Sequence, residues 1–358
     1  MATSAKNDRN HDVKTDIHVL SYNVCWGCMS ANESSENNRT AEPLATRCRD
    51  EKKSTGQNVC LNNVVSIIKN AQPIDFLGLQ EASGWHEIYE KLKFPHLGFI
   101  HHTISLSFGD VEMATFYNTE KFKLLAFKVG NLVFKRDMRD KPDGRPYQIL
   151  FMQKKDSGNY FIIINVHCGH RNNDSASLQE LLSQDITNLV DCTDTKEIHF
   201  ENAQTKDLSD CSDLLENEYH IIFMGDTNDH GKTNLWKGFN PFNISPLNKY
   251  KIKSDNEPPR TCCLISRYPP YSHYGDYILI SNNLEYLHEN IVPEHNMNYD
   301  YDESNVSYSG MSDLPASDHF PVLSIIREKH MKSKHGGGRK KQTKKRYKRT
   351  SRLKQKQI

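Results

Sequence analysis

Polar residues that could bind a metal ion or a phosphate follow several apolar runs of this 358-residue sequence. In IIFMGDTNDHG, residues 221–231, four apolar residues precede a glycine, and Asp226 and Asn228 come next. A buried strand explains the apolar run, and carboxylate and amide oxygens are ligands that hard divalent cations prefer. One such Asp is ordinarily a turn residue or a helix cap, so the case depends on whether other segments repeat the pattern.

Five other segments do repeat it, and ligands bind at the ends of strands in α/β sheets. Phosphodiester cleavage needs a metal to neutralise the phosphate, a base to deprotonate water and a donor to stabilise the charge that develops. Oxygen ligands, amides and two histidines meet these needs together. The polar residues at the other apolar runs are Asn23, Gln80, Glu81, Asn165, His167, Asp276, Asp318 and His319.

These segments resemble the motif series of the endonuclease/exonuclease/phosphatase superfamily, which has the DNase I-like fold. The motifs are, in order, SYNVCWG, LGLQE, NVHCGH, GDTND, GDYIL and SDHFPV, over roughly residues 17–326. The resemblance implies an α/β fold, a four-layer sandwich with two facing central β-sheets flanked by helices. It also implies a phosphoester hydrolase that depends on Mg²⁺, with Mn²⁺ as the alternative ion.

A metal site is the first set of roles that the resemblance implies. By the pattern of the superfamily, Glu81 and Asn23 belong to that site and Asp318 lies nearby. Mg²⁺ retains several waters and takes few protein oxygens, which suits one carboxylate and one amide.

The resemblance also implies a set of catalytic roles. His319 acts on the nucleophilic water and is oriented by Asp276, while Asp226 and Asn228 align the nucleophile and the scissile phosphate. His167 donates a hydrogen bond to a phosphate oxygen. A histidine can be neutral near pH 7, as a base must be, and a carboxylate partner fixes its tautomer.

Alternating strands and helices must position these residues, and no internal repeat or Gly/Pro-rich linker divides them. We therefore predict one mixed α/β domain over residues 15–328. Three polar segments interrupt the pattern: an excursion at 30–58, a charged loop after residue 134 and a weakly structured segment at 191–218. Apolar runs predict strands at 17–24, 74–81, 112–118, 122–134, 147–155, 159–170, 221–224, 275–281 and 319–328, and periodicity predicts helices at 61–68, 85–92 and 178–189.

Charge is distributed unevenly along the chain. Residues 329–358, the basic tail, contain 14 Lys or Arg and no acid, which leaves residues 1–328 with a formal charge of −13. The tail has almost no apolar residues, so we predict that it and residues 1–14 are disordered. The tail could bind nucleic acid, serve as a nuclear address, contact an acidic membrane or simply be a solvated charged end.

The cysteines bear on the cellular compartment of the protein. Nine are present, without a signal peptide or a membrane-length apolar run, so we predict an intracellular protein, cytoplasmic or nuclear, with reduced thiols. A structural zinc site would need four ligands such as Cys25, Cys28, Cys48 and Cys60. Only Cys25 and Cys28 have ligand-like spacing, so buried or free thiols are the preferred interpretation.

Substrate class follows from details of the motifs. Inositol polyphosphate 5-phosphatases carry a Trp-Cys-Asp-Arg element where this chain has SHYGDYIL, and the Trp-Arg pair of AP endonucleases is missing. The forms here look more like those of nucleases, deadenylases and sphingomyelinase-like members. We favour a nucleic-acid phosphodiesterase, with hydrolysis of an inositol phosphate or a sphingomyelin-like lipid as the alternative. A catalytically silent binding module is the non-enzymatic alternative, which loss of Glu81 or His319 would have indicated.

Overall fold

The computed structural model describes residues 16–30, 43–106, 109–134, 143–168, 219–227, 275–281, 283–291, 317 and 319–329. Within these ranges the helices are α1 (Trp26–Ser30), α2 (Pro43–Thr55), α3 (Val59–Asn70) and α4 (Trp85–Leu92). The strands are β1 (Ile17–Asn23), β2 (Phe76–Gln80), β3 (Leu97–Leu106), β4 (Gly109–Asn118), β5 (Phe122–Phe134), β6 (Asp143–Lys154), β7 (Tyr160–His167), β8 (Tyr219–Asp226), β9 (Asp276–Ile280), β10 (Leu284–Ile291) and β11 (Val322–Glu328).

The described strands form two mixed sheets. The first sheet has the order β10-β11-β1-β2-β4-β3, and the second has the order β5-β6-β7-β8-β9. Each contains one parallel pair, β1 with β2 and β7 with β8, among antiparallel neighbours. The parallel pairs bring the carboxyl ends of four strands to one edge of the molecule.

An apolar core lies between the two sheets and holds them face to face. Phe76 of the first sheet packs against Phe122 of the second with ring centroids 4.5 Å apart, and Phe122 meets Phe161 edge to face at 5.5 Å. All three rings are fully buried, and each contributes about 1.5–3 kcal/mol of transfer free energy. Other buried members of this core are Ile17, Val19, Leu150, Met152, Ile163, Ile222, Met224, Ile278, Ile280, Leu284, Val322 and Ile326.

Helices cover the outer face of the first sheet. The apolar stripe of α3 is buried there, and Asn58 caps the helix by accepting a hydrogen bond from the N–H of Leu61 at 3.1 Å. These helices and the two facing sheets confirm the predicted α/β sandwich. The predicted helix at 178–189 lies outside the described residues. The buried stripe of α3 consists of Cys60, Leu61, Val64, Val65 and Ile68.

Glu328 links the two sheets. Its Oε1 accepts a hydrogen bond from Lys154 Nζ at 2.7 Å, and its Oε2 lies 3.3 Å from His220 Nε2 and accepts a hydrogen bond from Asn159. Burial alone raises the pKa of Glu328, but these three partners outweigh it and lower the pKa to about 2. Because Glu328 belongs to the first sheet and Lys154 and His220 to the second, the cluster fixes one sheet against the other.

Several local predictions need correction. The polar excursion at 30–58 contains α2, in which few side chains besides Leu44 and Cys48 are buried, so its apolar periodicity is weak. The charged loop after residue 134 is shorter than expected because β6 already begins at Asp143. Strands β3 and β10 were not predicted, since polar residues interrupt their apolar character.

The prediction of free thiols is wrong for four cysteines. Disulfides join Cys25 to Cys28 and Cys48 to Cys60, with Cα atoms 5.3 and 5.8 Å apart. These four sulfurs are bonded in two pairs and do not form a four-thiolate zinc site. The second pair joins α2 to α3, a contact that sequence spacing alone does not reveal.

The described core lies within one compact unit, Met1–Glu328. The predicted bounds of the terminal segments, 1–14 and 329–358, stay predictions because almost all of these residues lie outside the described ranges. Among the described helices, none has both the length and the apolar character needed to cross a membrane.

Candidate active site

The strand register places the predicted site residues at one edge of the sandwich. Asn23 is paired with Gln80 at the ends of β1 and β2, so Glu81 lies just beyond this pair. In the second sheet, Asp226 is paired with both His167 and Asp276. All these positions are strand ends that face one another across the two sheets.

Gly225 of β8 allows the backbones of β7 and β8 to approach closely just before Asp226. Its φ of 145° is rarely adopted by L-residues, and a Cβ at this position would lie 2.0 Å from the carbonyl oxygen of Val166. The glycine that precedes the carboxylate in MGD is therefore required by the backbone.

The Oδ2 atom of Asp226 is the centre of the cluster. It accepts a hydrogen bond from Asn23 Nδ2 at 3.0 Å, which joins the two sheets through residues 203 positions apart. His167 Nε2 lies 3.7 Å from the same oxygen, and His319 Nε2 lies 3.9 Å from it. The side chain of Asp226 is 1% exposed, so electrostatic interactions at this oxygen are weakly screened.

His319 and Asp276 form a buried acid–base pair. His319 Nδ1 and Asp276 Oδ2 are 2.8 Å apart, and the side chains are 6% and 0% exposed. A carboxylate at Nδ1 stabilises the tautomer that carries its proton there, which leaves Nε2 as the acceptor. Nε2 is the nitrogen on the side of Asp226, so the acceptor atom points into the cluster.

Glu81 is the most exposed carboxylate of the cluster, at 28%. Its Oε1 lies 3.4 Å from His167 Nε2, and its Oε2 accepts a hydrogen bond from the N–H of Trp26 at 2.9 Å. Burial by itself raises the pKa of Glu81, but the nearby His167 and the Trp26 N–H have the larger combined effect and the pKa is lowered. Glu81 is thus an anion at neutral pH.

The donor set fits a hard divalent cation. Glu81 and Asp226 supply carboxylate oxygens and Asn23 supplies an amide oxygen, which are the ligand types that Mg²⁺ selects. One atom each of Asp226, Asp276 and His319 also lie within 4.8 Å of one another. In that trio Asp276 and His319 are already hydrogen-bonded to each other at 2.8 Å, whereas Glu81 Oε1 faces the cluster and lies 3.4 Å from His167 Nε2.

Ser317 is a site residue that sequence reasoning did not single out. Its hydroxyl donates to the carbonyl oxygen of Asn23 at 2.7 Å and accepts the N–H of His319 at 3.2 Å. It therefore joins the segment that carries His319 to the end of β1. Its only signal in the sequence was its place at the start of SDHFPV.

A second missed feature is a buried amide pair beneath the site. Gln80 Nε2 donates to Asn165 Oδ1 at 2.7 Å, and Asn165 Nδ2 donates to Thr115 Oγ1 at 3.0 Å. Gln80 and Asn165 are fully buried, and they connect the two sheets next to Glu81 and His167. Amides followed apolar runs in both segments, but only the structure shows that they contact each other.

The structure thus brings six of the eight predicted site residues together. The other two, Asn228 and Asp318, lie outside the described residues, and their roles stay predictions. The six that converge are Asn23, Glu81, His167, Asp226, Asp276 and His319.

Comparison with known proteins gives one relative by sequence. No protein-family model matches the chain. The uncharacterized protein L684 of Acanthamoeba polyphaga mimivirus is 28% identical over 210 residues, which make up 57% of this chain and 36% of that protein. The match therefore spans about a third of the length of that relative.

Solved structures give a likeness over most of the chain. An endonuclease/exonuclease/phosphatase family protein from Bacteroides thetaiotaomicron has a TM-score of 0.54 at 17% identity, covering 88% of this chain and 96% of that one. ANGEL2, a 2′,3′-cyclic phosphatase, has a TM-score of 0.54 at 17% identity, covering 87% and 95%. At sequence identities this low, the likeness shows a shared fold and nothing about activity. The chain has the DNase I-like fold of the endonuclease/exonuclease/phosphatase superfamily.

Proposed function

We propose that the chain is a divalent-metal-dependent phosphoester hydrolase that cleaves phosphodiester bonds in nucleic acid, with Mg²⁺ as the ion. The observation that carries the proposal is the convergence of an acid–base pair, a second histidine and three oxygen donors around Asp226 Oδ2. This set supplies the general base, the hydrogen-bond donor to the phosphate and the metal ligands that the reaction needs.

Glu81 and Asn23 would hold the cation, with Asp318 nearby. A bound Mg²⁺ would neutralise charge on the phosphate oxygens in the transition state. The Trp26 N–H at Glu81 Oε2 leaves Oε1 to face the cluster, and the N–H of Cys25 at Asn23 Oδ1 orients the amide. Both ligands are therefore held by backbone donors before any ion binds.

His319 would act as the general base. Its Nε2 takes a proton from water as the water oxygen forms a bond to phosphorus, and the ester bond from phosphorus to the leaving oxygen breaks. Asp276 at Nδ1 stabilises the resulting imidazolium. The leaving oxygen takes its proton from solvent.

Asp226 and His167 would position the reacting groups. Asp226 lies between the two histidines, within 3.9 Å of each Nε2, where it can accept a hydrogen bond from the attacking water. His167 can donate from Nε2 to a non-bridging phosphate oxygen, and Asn228 would assist in aligning the phosphate. Donors fixed before the reaction stabilise developing charge without reorganisation.

Two features favour nucleic acid as the substrate. The 14 basic residues of the tail would attract a polyanion to a body of formal charge −13. ANGEL2, which shares the fold, is a 2′,3′-cyclic phosphatase that has been solved in complex with adenosine-2′,3′-vanadate. We propose an intracellular setting, cytoplasmic or nuclear, where such substrates occur.

The test uses the full-length protein, Mg²⁺ and a panel of labelled DNA, RNA, poly(A), an inositol phosphate and sphingomyelin. We expect DNA or RNA to be consumed, and we expect excess EDTA to abolish turnover. Glu81→Ala should remain folded and lose at least about 10²- to 10³-fold in turnover, the scale for removing one group that stabilises the transition state. Glu87→Ala is the matched control, because Glu87 is an exposed carboxylate on α4, 51% exposed.

Each contrary outcome has a distinct meaning. Consumption of only the inositol phosphate or sphingomyelin would support the alternative, a phosphatase or phosphodiesterase that acts on an inositol phosphate or a sphingomyelin-like lipid. Full turnover by Glu81→Ala, or in EDTA, would overturn the metal role. Binding of nucleic acid without cleavage of any substrate would support the catalytically silent binding module.

A further inference from the structure

We propose that the Cys25–Cys28 disulfide is a positioning element of the candidate site, which holds Asn23 and Glu81 in the geometry needed to bind the cation. This inference rests on the proposed function, because it takes these two residues as the cation ligands. It adds that the affinity of the site for the cation depends on the oxidation state of a cysteine pair.

The turn closed by this disulfide supplies a backbone donor to each ligand. The N–H of Cys25 donates to Asn23 Oδ1 at 3.1 Å, and the N–H of Trp26 donates to Glu81 Oε2 at 2.9 Å. These N–H groups are consecutive in the chain, so one rigid turn orients ligands from both β1 and the end of β2. The conformation of this turn therefore orients the side chains of both ligands.

The turn has a conformation that needs an external constraint. Cys25 has a φ of 62°, in the left-handed region, which costs a non-glycine residue about 1–2 kcal/mol. Such conformations persist only where the surroundings enforce them. The disulfide provides a covalent constraint across the turn, together with hydrogen bonds from the N–H groups of Cys28 and Met29 to the Cys25 carbonyl, both 3.0 Å.

Reduction would remove that constraint. A dithiol supplies two electrons and two protons: the bond between the two sulfurs breaks, two S–H bonds form, and the dithiol becomes a disulfide. Cys25 can then return to a negative φ, which turns its N–H away from Asn23 and shifts the Trp26 N–H away from Glu81. Loss of groups that orient metal ligands typically weakens metal affinity by about 10- to 100-fold.

The chain contains a matched control in its other described disulfide. Cys48 and Cys60 are also fully buried, but they join α2 to α3 on the outer face of the first sheet. Removing either disulfide should lower stability, because each constrains the unfolded chain. Only the Cys25–Cys28 pair should alter the cation site.

The experiment is a calorimetric titration of Mn²⁺ into the wild-type protein, Cys25→Ser/Cys28→Ser and Cys48→Ser/Cys60→Ser. We expect the dissociation constant to rise about 10- to 100-fold for the first variant and to stay at the wild-type value for the second. Excess Mn²⁺ should restore much of the turnover of the first variant. If the variant had lost turnover only because it was unfolded, excess Mn²⁺ would not restore it. Equal affinity of the first variant and wild type, or equal losses in both variants, would overturn the proposal.

A second measurement covers the case in which Cys25→Ser/Cys28→Ser does not fold. The Cys48→Ser/Cys60→Ser protein is titrated before reduction with dithiothreitol, after it, and again after reoxidation, with Cys25 and Cys28 thiols followed by mass spectrometry. A reversible rise in the dissociation constant supports the positioning role, and an unchanged value overturns it. Wild-type protein that binds no Mn²⁺ would instead overturn the metal-dependent function, so the two failures are distinguishable.

Discussion

At the scale of single residues, the site depends on the different environments of three carboxylates. Glu81 is partly exposed and faces His167, Asp226 lies between two histidines, and Asp276 is fully buried against the Nδ1 atom of His319. Under the proposed function, these positions relative to the histidines suit the three acids to be a metal ligand, a group that aligns the water and a group that orients His319, respectively. The six converging side chains could be predicted from sequence because each adjoins an apolar run: four follow one, and Asp276 and His319 precede one.

Other contributions to the site leave no trace in the residue types. Cys25 and Trp26 act through their backbone N–H groups, and no pattern of side chains encodes where such donors point. The two disulfides depend on which faces of the chain meet after folding. The sequence shows only the number and spacing of the cysteines, and spacing alone favoured free thiols.

Residue-scale coupling between His319 and Asp276 leads to a kinetic prediction. Because the carboxylate acts only through the imidazole, the double variant His319→Ala/Asp276→Ala should lose about as much turnover as His319→Ala alone. The three variants and wild type are compared in single-turnover rates on the substrate that the panel identifies. His86→Ala, an exposed histidine on α4 with its side chain 66% exposed, should retain wild-type rates.

Additive losses would give a different result. If the loss in log rate of the double variant equalled the sum of the two single losses, His319 and Asp276 would act independently. The pairing seen at 2.8 Å would then have no catalytic role.

At the scale of elements, the strength of apolar patterning decided what could be predicted. The predicted α4 and β5 have the observed bounds, because one is an amphipathic helix and the other a long apolar strand bounded by polar turns. Strand β3 was missed because His101 and His102 interrupt it and because it is an edge strand with one exposed face. The order of strands in each sheet could not be predicted from the sequence, because it depends on contacts between distant segments.

The Glu328 cluster between the sheets gives a prediction for stability against pH. The pKa of Glu328 is lowered from 4.5 to about 2 in the folded state, so its stabilising effect is complete above pH 4.5 and is lost as pH falls towards 2. After allowance for solvent screening we expect it to contribute about 1–2 kcal/mol at neutral pH.

Chemical denaturation of wild type and Glu328→Gln at pH 7 and near pH 3 measures this effect. The difference in free energy of unfolding between the two proteins should shrink at the lower pH. Glu285→Gln, an exposed carboxylate on neighbouring β10, is the control and should leave stability nearly unchanged. A difference that stays constant across this range would show that the carboxylate charge is not what links the sheets.

At the scale of the whole molecule, charge is separated between the body and the tail. A body of formal charge −13 repels a polyanion at long range, and 14 basic residues at 329–358 offer a local attraction. This attraction is the most salt-sensitive property that the sequence predicts, because it depends on release of counterions from the phosphate backbone.

Deletion of residues 332–358 tests the role of the tail. Turnover at saturating nucleic acid should be nearly unchanged, because Asn23, Glu81, Asp226 and His319 are retained. Affinity at about 50 mM salt should fall, and the dependence of affinity on salt should flatten, as fewer counterions are released. Titrations of a labelled oligonucleotide at three salt concentrations measure both; identical curves for the two proteins would make the tail a localisation signal or a solvated end.

The position of β1 in the first sheet couples completion of the sheet to assembly of the candidate site. Among the described strands β1 comes first in the chain and β11 comes last, yet β1 lies between β2 and β11 in the sheet. One hydrogen-bonding edge of β1 therefore stays open during translation until almost the whole domain has left the ribosome, and open edges are where chains pair wrongly. His319, the proposed base, enters with the segment that carries β11 and is linked to Asn23 through Ser317. Completion of the first sheet and assembly of the candidate site are thus one event, so under the proposed function a chain that lacks β11 should have no hydrolytic activity.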